Sequence, residues 1–527
     1  MKNLSFYVSG VLALLSGTVF AAVKPSPIFH SNMVLQRDHV VPVWGTAEPG
    51  EKVTVTFAGQ NVSASADAKG KWAVKLAPMK ASKENRPLVI ATPAGSNLFN
   101  DVLVGDVWLC SGQSNMEMSF SWGVYDGDFF RKEATNYPTI RCMKIAKRNS
   151  GWNLENPGIA AKWEYAMKRL PHCTAAGYFF ARRLTCELDV PIGLIDASWS
   201  ASRIEPFIAS GAFEKEPEIA QLAKTAYQSD CLHPIGRENF KKNADKMREW
   251  LEQAEKTIAA GEAPSEMPPA IFSVHGGAPS VQYRAMIAPI VRFPIKGVIW
   301  YQGCSNGGES DIYIAKTKAL VEGWRKGWGY DFPFYWVQLA SYTAPTTDPA
   351  GGNGYARIRE AQRKALAVVP KSGMAVAIDV GNPKDIHPKA KKIVGERLAL
   401  WALAKDYGKD IVCSGPLFKQ AVPEGDKIRV SFDSIGSGLM VGFKNPFDNK
   451  EAVAAPKGTK PEGFAIAGED KVWAWADASI DGDTVVLSSP KVAKPLYVRY
   501  AYRACPQEHC NLYNREGLPA SPFNTLP

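Results

Sequence analysis

Three polar residues are of the types needed to hydrolyse an ester with serine as the nucleophile. Ser114 lies in the stretch Gly105–Phe120, and His387 follows Asp385 by two residues in a short loop-like segment. A serine hydroxyl needs a base to take its proton, and an imidazole, with a reference pKa near 6.5, is suited to that task. The base also needs an orienting group. We assign this role to the carboxylate of Asp385, with its backbone carbonyl or the carboxylate of Asp379 as alternatives.

The negative charge that develops on the ester oxygen needs hydrogen-bond donors, and three stretches offer them. The N–H group of Ser114 would be free at the end of a strand. The loop Ser198–Arg203 can add a second backbone N–H, which we assign to Ser200. The side chain of Asn306 is the third candidate, although the two glycines that follow it also fit a simple turn.

These residues are expected to follow the buried strands of one parallel sheet. Asp106–Cys110 is a short apolar run that predicts such a strand, and the small residues Ser111 and Gly112 let the chain turn sharply after it. Ligands bind at the carboxyl ends of such strands. The spacing around Ser114 differs from the nucleophile elbow G-x-S-x-G, so that motif does not apply. The other predicted elements are strands at Val190–Ala197, Val298–Tyr301, Phe334–Leu339 and Met374–Asp379, and helices at Thr174–Leu188, Ile312–Gly327, Tyr355–Val368 and Lys389–Tyr407.

The chain therefore divides into an α/β part between two β-rich parts. Residues 23–104 contain short alternating apolar runs separated by turn signals, which predict a small β-sandwich. Residues 105–408 form the predicted catalytic domain, with a charged helical insertion at about 213–269 that is either a lid or a packed decoration. Residues 411–527 return to alternating patterns and predict a second β-sandwich.

Composition and the N-terminus indicate an exported globular protein. Hydrophobic residues are 46% and charged residues 22% of the 527 residues, as in soluble proteins. Residues 1–21 have a lysine, an apolar run and small residues at a cleavage position, which predict a signal peptide and a periplasmic, lumenal or extracellular location. The net charge of +10 is spread along the chain without long basic blocks, so no nucleic-acid partner is expected.

The nine cysteines permit disulfides in an exported protein. Cys505 and Cys510 enclose a short loop and are the best candidate pair, while the odd total leaves at least one thiol over within the chain. No cysteine or histidine spacing resembles a zinc site, so neither a metal nor another cofactor is expected.

Several stretches together resemble the sialate O-acetylesterase family of the SGNH hydrolases. They are GDVWLCSGQSNM, VPIGLI, MIAPIVRFPIKGVIWYQGCSN and DIHPKAKKIVGERLAL, with IFHSNMVLQRDHVVPVW near the start and CNLYNREGLPASPFN near the end. The resemblance covers nearly the whole mature chain. It implies a flavodoxin-like, three-layer α/β/α catalytic domain with β-rich terminal parts, and metal-free deacetylation of sugars through an acetyl-serine intermediate. It also implies that Ser114 is the nucleophile, His387 the base, and Asn306 with Ser198–Ser202 part of the oxyanion hole.

Two positions depart from the family pattern. The family has Trp-Gly-Gly where this chain has Trp199-Ser200-Ala201, and a left-handed backbone costs serine or alanine more than glycine. The family's Gln-Gly-Glu is here Gln302-Gly303-Cys304, so a carboxylate is lost beside the site. Cys304 could instead approach Cys110, because both residues end neighbouring predicted strands.

The expected substrate is an O-acetylated sialic acid. Arg203 and Arg284 lie beside the predicted loops, where either could pair with the sialate carboxylate, and Gln113 and Gln302 are assigned to substrate binding. An acetylxylan or other polysaccharide acetylesterase is the alternative enzyme. A non-catalytic carbohydrate-binding protein on a hydrolase fold is the alternative of another class. The oligomeric state stays open.

Overall fold

The structure is a computed structural model that describes residues 23–264, 276–352, 354–506 and 509–526. The predicted signal peptide, residues 1–21, lies outside the described residues, as does the end of the predicted helical insertion. No helix in the part of the chain that the structure describes is long and apolar enough to cross a membrane.

The N-terminal part is built from short strands with one buried face. In β6, for example, Trp72, Val74 and Leu76 are buried and the residues between them are exposed, as the period of two requires. β3 lies between β1 and β6, whereas β4 pairs with β5 and β7. The strands are β1 (Lys24–Pro25), β2 (Val34–Gln36), β3 (Val41–Thr46), β4 (Lys52–Phe57), β5 (Gln60–Ser65), β6 (Lys71–Leu76) and β7 (Ser82–Thr92).

The strand β8 (Gly95–Gly112) joins this N-terminal part to the central sheet without a break. Its first half pairs antiparallel with β7, and Leu103–Gly105 pairs with β2. Its second half, from Asp106 onward, lies in the middle of the central sheet. The predicted domain boundary between residues 104 and 105 therefore falls inside one continuous strand.

The central sheet has the strand order β10-β9-β11-β8-β12-β13-β14, and only β10 runs antiparallel to its neighbour. Every residue of β11, β12 and β13 is buried. Such uninterrupted burial is typical of parallel strands that are covered on both faces. The strands are β9 (Ile140–Ile145), β10 (Ile159–Tyr165), β11 (Ile192–Ser198), β12 (Gly297–Tyr301), β13 (Phe334–Gln338) and β14 (Ser372–Val376).

Helices connect and cover these strands. α4 packs against α9, α7 packs against α8, and α9 also contacts β13 and β14. Thr174 begins α4 as its N-cap, because its side chain accepts a hydrogen bond from the N–H of Gly177 at 3.1 Å. The helices are α1 (Ser114–Glu117), α2 (Gly127–Glu133), α3 (Ala166–Arg169), α4 (Ala175–Leu188), α5 (Gln221–Gln228), α6 (Pro234–Ala259), α7 (Ser310–Trp328), α8 (Gly354–Ala365) and α9 (Lys391–Asp406).

The C-terminal part consists of short antiparallel strands. They form the groups β15-β16-β22-β21, β18-β17-β24 and β20-β19-β23-β25. The buried Arg359 of α8 ties this part to the central α/β part by donating to the carbonyls of Arg503 and Ala504. The strands are β15 (Leu417–Glu424), β16 (Lys427–Asp433), β17 (Leu439–Phe443), β18 (Val453–Ala454), β19 (Phe464–Ala467), β20 (Ala474–Trp475), β21 (Asp477–Asp481), β22 (Thr484–Ser488), β23 (Tyr497–Tyr500), β24 (Leu512–Asn514) and β25 (Phe523–Asn524).

Candidate active site

The candidate site forms where three strands end side by side. Gly112, the last residue of β8, is in register with Ser198 of β11 on one side and Tyr301 of β12 on the other. Its φ of 128° lies in the region that favours glycine, and a Cβ here would lie 2.3 Å from the carbonyl oxygen of Tyr301. Glycine at this position therefore lets the loops after the three strands meet.

Ser114 is the first residue of the short helix α1, directly after this turn. Gln113 ends the extended backbone by donating its N–H to the carbonyl of Tyr301 at 2.9 Å. The N–H groups of Ser114 and Asn115 have no acceptor within the described ranges, since the first turn of a helix lacks intrahelical acceptors. Both groups can therefore donate to an incoming oxyanion.

His387 lies in the loop between β14 and α9, which reaches back over the sheet to α1. Asn115 makes the connection, because its Nδ2 donates to the carbonyl of Ile386 at 2.9 Å. The ring of His387 meets the ring of Trp122 edge to face, with centroids 5.4 Å apart. Its Nε2 is buried without a hydrogen-bond partner among the residues that the structure describes. Burial, followed by the nearby charge of Lys391, lowers the pKa of His387, whereas Asp385 opposes this shift.

The structure separates the two carboxylates that the sequence offers to His387. Asp385 Oδ1 lies 3.5 Å from His387 Nδ1 and accepts the backbone N–H of His387 at 2.9 Å. Asp379 is buried and forms a two-pronged ion pair with Arg397, at 2.7 and 2.8 Å. Asp385 is therefore the carboxylate beside the imidazole, whereas Asp379 is paired with Arg397 of α9.

The loop after β11 is held by a carboxylate that the sequence analysis did not select. Glu117 Oε2 accepts both the N–H of Ser200, at 2.8 Å, and its hydroxyl, at 2.5 Å. The N–H of Ser200 therefore already has an acceptor. The sequence analysis had assigned this group to the oxyanion hole, and the structure does not leave it free for that role. Ala201 follows with a left-handed φ of 61°, and its N–H has no acceptor in the described part of the chain. Ala201 therefore offers a free backbone donor directly after Ser200.

Asn306 is placed at the same edge, but its amide is fully engaged. Its Oδ1 accepts from the N–H of Ile204 at 3.1 Å and from Gln302 at 2.8 Å. Its Nδ2 donates to both carboxylate oxygens of Glu205 at 3.2 Å and to Glu309 at 3.3 Å. Donation to an oxyanion would require the amide to give up one of these carboxylates.

The two glutamines assigned to substrate binding are buried inside the site's scaffold. Gln113 Oε1 accepts the N–H of Gly303 at 3.0 Å, which ties α1 to the loop after β12. Gln302 is 0% exposed and makes hydrogen bonds with the carbonyl of Ser202 and the hydroxyl of Tyr313. Both side chains position the loops, and neither is free to contact a sugar in this arrangement.

The two arginines assigned to the sialate carboxylate already have partners. Arg284 is 1% exposed, and its guanidinium donates to the carbonyl of Ala226 at 2.6 Å and to the hydroxyl of Ser229 at 3.0 Å. It therefore binds the helical insertion to the core. Arg203 is partly exposed and pairs with Glu205 at 2.9 Å and with Glu309. Of the two, only Arg203 faces solvent at the edge of the site.

Cys304, which replaces the family's glutamate, does not face Cys110. A hydrogen bond links its thiol to Tyr355, and burial raises its pKa to about 11. Cys110 instead lies beside Gly177 in α4. Cys505 and Cys510 are both buried, and their pairing stays a prediction.

Sequence reasoning missed Glu117 and Lys391. Glu117 stands inside the motif around Ser114, so its position was a usable signal, but its partner Ser200 is 83 residues away. Lys391 is completely buried, and its Nζ donates to Asn115 Oδ1 at 2.6 Å. Nothing in a lysine-rich helix start distinguishes the buried Lys391 from the more accessible Lys389 and Lys392.

Comparisons with known proteins relate this chain to esterases that are named for carbohydrate substrates. Residues 277–404 match the family model of a carbohydrate esterase, the sialic acid-specific acetylesterase. A carbohydrate acetylesterase from Xanthomonas citri has a similar structure, with a TM-score of 0.78 and 33% identity over 96% of this chain and 99% of that chain. Sialate O-acetylesterases from mouse and human are 27% and 29% identical, covering 97% and 74% of this chain and 96% and 72% of theirs.

The α/β fold and these comparisons define an ester hydrolase of the carbohydrate acetylesterase class. More closely, the chain belongs to the sialate O-acetylesterase family of carbohydrate esterases. It is a carboxylic ester hydrolase, which excludes the reading as a non-catalytic binding protein.

Proposed function

We propose that this chain removes O-acetyl groups from sialic acids, with Ser114 as the nucleophile and His387 as the general base. One observation carries the assignment of the residues. Asn115, next to Ser114, is bonded to the carbonyl of Ile386, next to His387, and the His387 Nε2 lacks a partner among the described residues. A buried imidazole nitrogen without a partner, in a loop tied to the serine, fits a base waiting for a hydroxyl proton.

Acylation then begins when His387 Nε2 takes the proton of the Ser114 hydroxyl and the serine oxygen bonds to the acetyl carbon. The bond between the acetyl carbon and the sugar oxygen breaks, and the imidazolium gives its proton to that oxygen. Water repeats the sequence on the acetyl-serine, which releases acetate and restores Ser114. Asp385 stabilises the imidazolium formed in each half.

We assign stabilisation of the oxyanion to the N–H groups of Ser114 and Ala201, with the side chain of Asn306 as a third donor. The first two groups are supported by their lack of acceptors in the described residues. The assignment moves the loop donor from Ser200 to Ala201, because Glu117 holds the N–H of Ser200. Asn306 contributes if its amide exchanges a carboxylate partner for the oxyanion.

The substrate assignment rests on relatives that are named as sialate O-acetylesterases. An acetylated neutral polysaccharide is the second candidate. Its support is that Arg203 and Arg284 are already paired or buried, which leaves the sialate carboxylate without an obvious partner. The X. citri relative is named only as a carbohydrate acetylesterase.

We further propose that helices on both faces of the central sheet make it the three-layer SGNH domain of residues 105–408. The N-terminal and C-terminal β-rich parts would be sandwiches that support it. Export through the signal peptide at residues 1–21 completes this proposal.

Acetate release tests the function. The wild-type protein and Ser114→Ala are each given O-acetylated sialic acid and acetylated xylan. Release from the sialic acid that is lost in the variant supports the serine mechanism and the substrate together. Release only from acetylated xylan would support the serine mechanism but identify a polysaccharide as the substrate. Release that persists in Ser114→Ala would contradict the mechanism.

A further inference from the structure

Lys391 is a buried lysine that the mechanism above does not use. It is the first residue of α9, four residues after His387, and it is 0% exposed. Burying an ammonium group is costly unless a carboxylate pairs with it. No carboxylate lies within ion-pair distance of Lys391 among the residues that the structure describes. A buried charge kept at such a cost calls for a reason other than stability.

The contacts of Lys391 join the two loops of the active site. Its Nζ donates to Asn115 Oδ1 at 2.6 Å, and Asn115 Nδ2 donates to the carbonyl of Ile386 at 2.9 Å. Asn115 follows the nucleophile and Ile386 precedes the histidine. The chain of bonds from Lys391 through Asn115 to Ile386 therefore fixes the amide orientation of Asn115 and the spacing of the two loops.

Several titratable groups surround this ammonium. The ring of Tyr301, at the end of β12, has its centroid 5.1 Å from Nζ. The carboxylate of Asp385 and, once ionised, the thiol of Cys304 in the loop after β12 favour the charged lysine. The charge of Lys391 in turn disfavours the protonated form of His387. On α9 itself, Lys392 is paired with Glu396 at 2.8 Å.

We propose that Lys391 is a positioning residue of this esterase, which holds the nucleophile loop against the histidine loop through Asn115 and keeps His387 in its neutral, base-competent form. The inference deepens the proposed function and rests on it. Asn115 transmits the position, and the charge acts through space on the imidazole.

The electrostatic environment agrees with this role. Burial lowers the pKa of Lys391 to about 7, against the opposing effects of Cys304 and Asp385. At slightly acidic pH the lysine is therefore charged, and its charge resists protonation of His387.

The test compares wild-type protein, Lys391→Met and Lys392→Met over a range of pH, with an acetyl ester as substrate. Methionine keeps an unbranched side chain that lacks only the terminal nitrogen position, and it removes the charge and the hydrogen bond. We expect Lys391→Met to lower kcat about 10- to 100-fold, the order expected for a misplaced catalytic group. The acid limb of the pH profile of kcat/KM should move to higher pH, since His387 becomes easier to protonate. Lys392→Met should change neither.

Thermal unfolding adds a readout that separates positioning from structural support. We expect the Tm of Lys391→Met to rise, because a buried ammonium without a carboxylate is replaced by an apolar group. The pKa of Lys391 is lower in the folded chain than its model value of 10.5, so its destabilising effect is complete below about pH 7 and fades towards pH 10.5. The gain in Tm should therefore be larger at pH 6 than at pH 9.

Lys391→Gln serves as the second variant and keeps a donor without a charge. It should shift the acid limb as methionine does, while kcat falls less. An acid limb that stays in place in these variants, or an unchanged kcat in Lys391→Met, overturns the inference. A loss of both Tm and activity would also overturn it, because Lys391 would then only support the fold. Wild-type protein without Ser114-dependent activity would instead contradict the proposed function.

Discussion

The carboxylate of Glu117 binds Ser200 twice, through its backbone N–H and through its hydroxyl. Glu117 lies on α1, three residues after the candidate nucleophile, and Ser200 lies in the loop that offers an oxyanion donor. Lys144 and Lys147 hold the other carboxylate oxygen at 3.1 and 2.7 Å. These hydrogen bonds and ion pairs link α1 to the loop after β11.

We expect Glu117→Ala to lower kcat about 10- to 100-fold with a smaller change in KM, because the loop that carries Ala201 loses its anchor. Steady-state kinetics on an acetyl ester measure both constants. Glu133→Gln is the control and should leave kcat unchanged, because it alters an α2 carboxylate that pairs with Arg182 of α4. Equal kcat values for Glu117→Ala and wild type would contradict the anchoring role.

The same carboxylate predicts a pH dependence of stability. Burial opposes its ionisation, but Lys147, Ser200 and Lys144 outweigh burial and lower the pKa of Glu117 to about 2. A carboxyl whose folded pKa is lowered stabilises the protein above its unfolded pKa and ceases to do so as pH falls through its folded pKa. We expect the difference in unfolding free energy between wild type and Glu117→Gln to shrink as pH falls from about 4.5 to 2. A constant difference would count against this assignment.

Ala201→Gly should stabilise the protein without loss of activity. Ala201 has a left-handed φ of 61°, which costs an alanine about 1–2 kcal/mol that a glycine avoids. Part of this gain is offset by the greater flexibility of unfolded glycine, so we expect a net rise of about 1 kcal/mol in unfolding free energy. Chemical denaturation measures it, with Ala244→Gly in α6 as a control that should destabilise. A lower kcat would show that the alanine methyl group contributes to the site.

Asp385→Asn and Asp379→Asn should have different consequences. Asp385 raises the pKa of His387, so its neutralisation should move the acid limb of kcat/KM to lower pH and cost part of the about 10²–10⁴-fold supplied by general-base catalysis. Asp379→Asn breaks a buried ion pair with Arg397, so it should cost about 3–5 kcal/mol of stability. Kinetics and denaturation of both variants make the comparison. The reverse pattern would identify Asp379 as the functional partner.

Asn306→Ala tests the third oxyanion donor. Loss of such a donor lowers kcat by about 10²–10³-fold. We expect a fall of this order for Asn306→Ala, accompanied by a lower Tm because Glu205 loses a partner. Glu309→Gln, which removes one of the carboxylates held by Asn306, should retain kcat. A lower Tm with unchanged kcat would limit Asn306 to a structural role.

Local patterns predicted the elements that follow regular periods. The apolar runs of β11, β12 and β13 and the amphipathic run of α4 are where the sequence predicted them, because uninterrupted burial and helical spacing leave clear signatures. The sequence also predicted that the chain turns at Gly112. A residue with a Cβ would not fit there, because the Cβ would clash with the carbonyl oxygen of Tyr301. The boundary at residue 104 was less predictable, since a strand that crosses two parts of a protein has no composition break where its pairing partners change.

The site was predictable to the level of loops and less so to the level of atoms. Ser114, Asn306 and the loop of Ser200 meet at one sheet edge because they follow parallel neighbours in register with Gly112. Which N–H stays free depends on Glu117, which reaches Ser200 only in the folded chain. The burial of Lys391 and of Arg284 depends on packing across more than 50 residues of sequence, which local patterns do not record.

The continuity of β8 bears on how this protein can be divided. Residues 95–112 are one strand whose first half pairs with β7 and whose second half ends two residues before Ser114, the candidate nucleophile. A truncation at residue 104 would cut the central strand of the catalytic sheet in two and leave its upstream half in the discarded fragment. The N-terminal part is consequently no detachable module, and domain exchange between relatives should succeed only when the crossover point lies outside this strand.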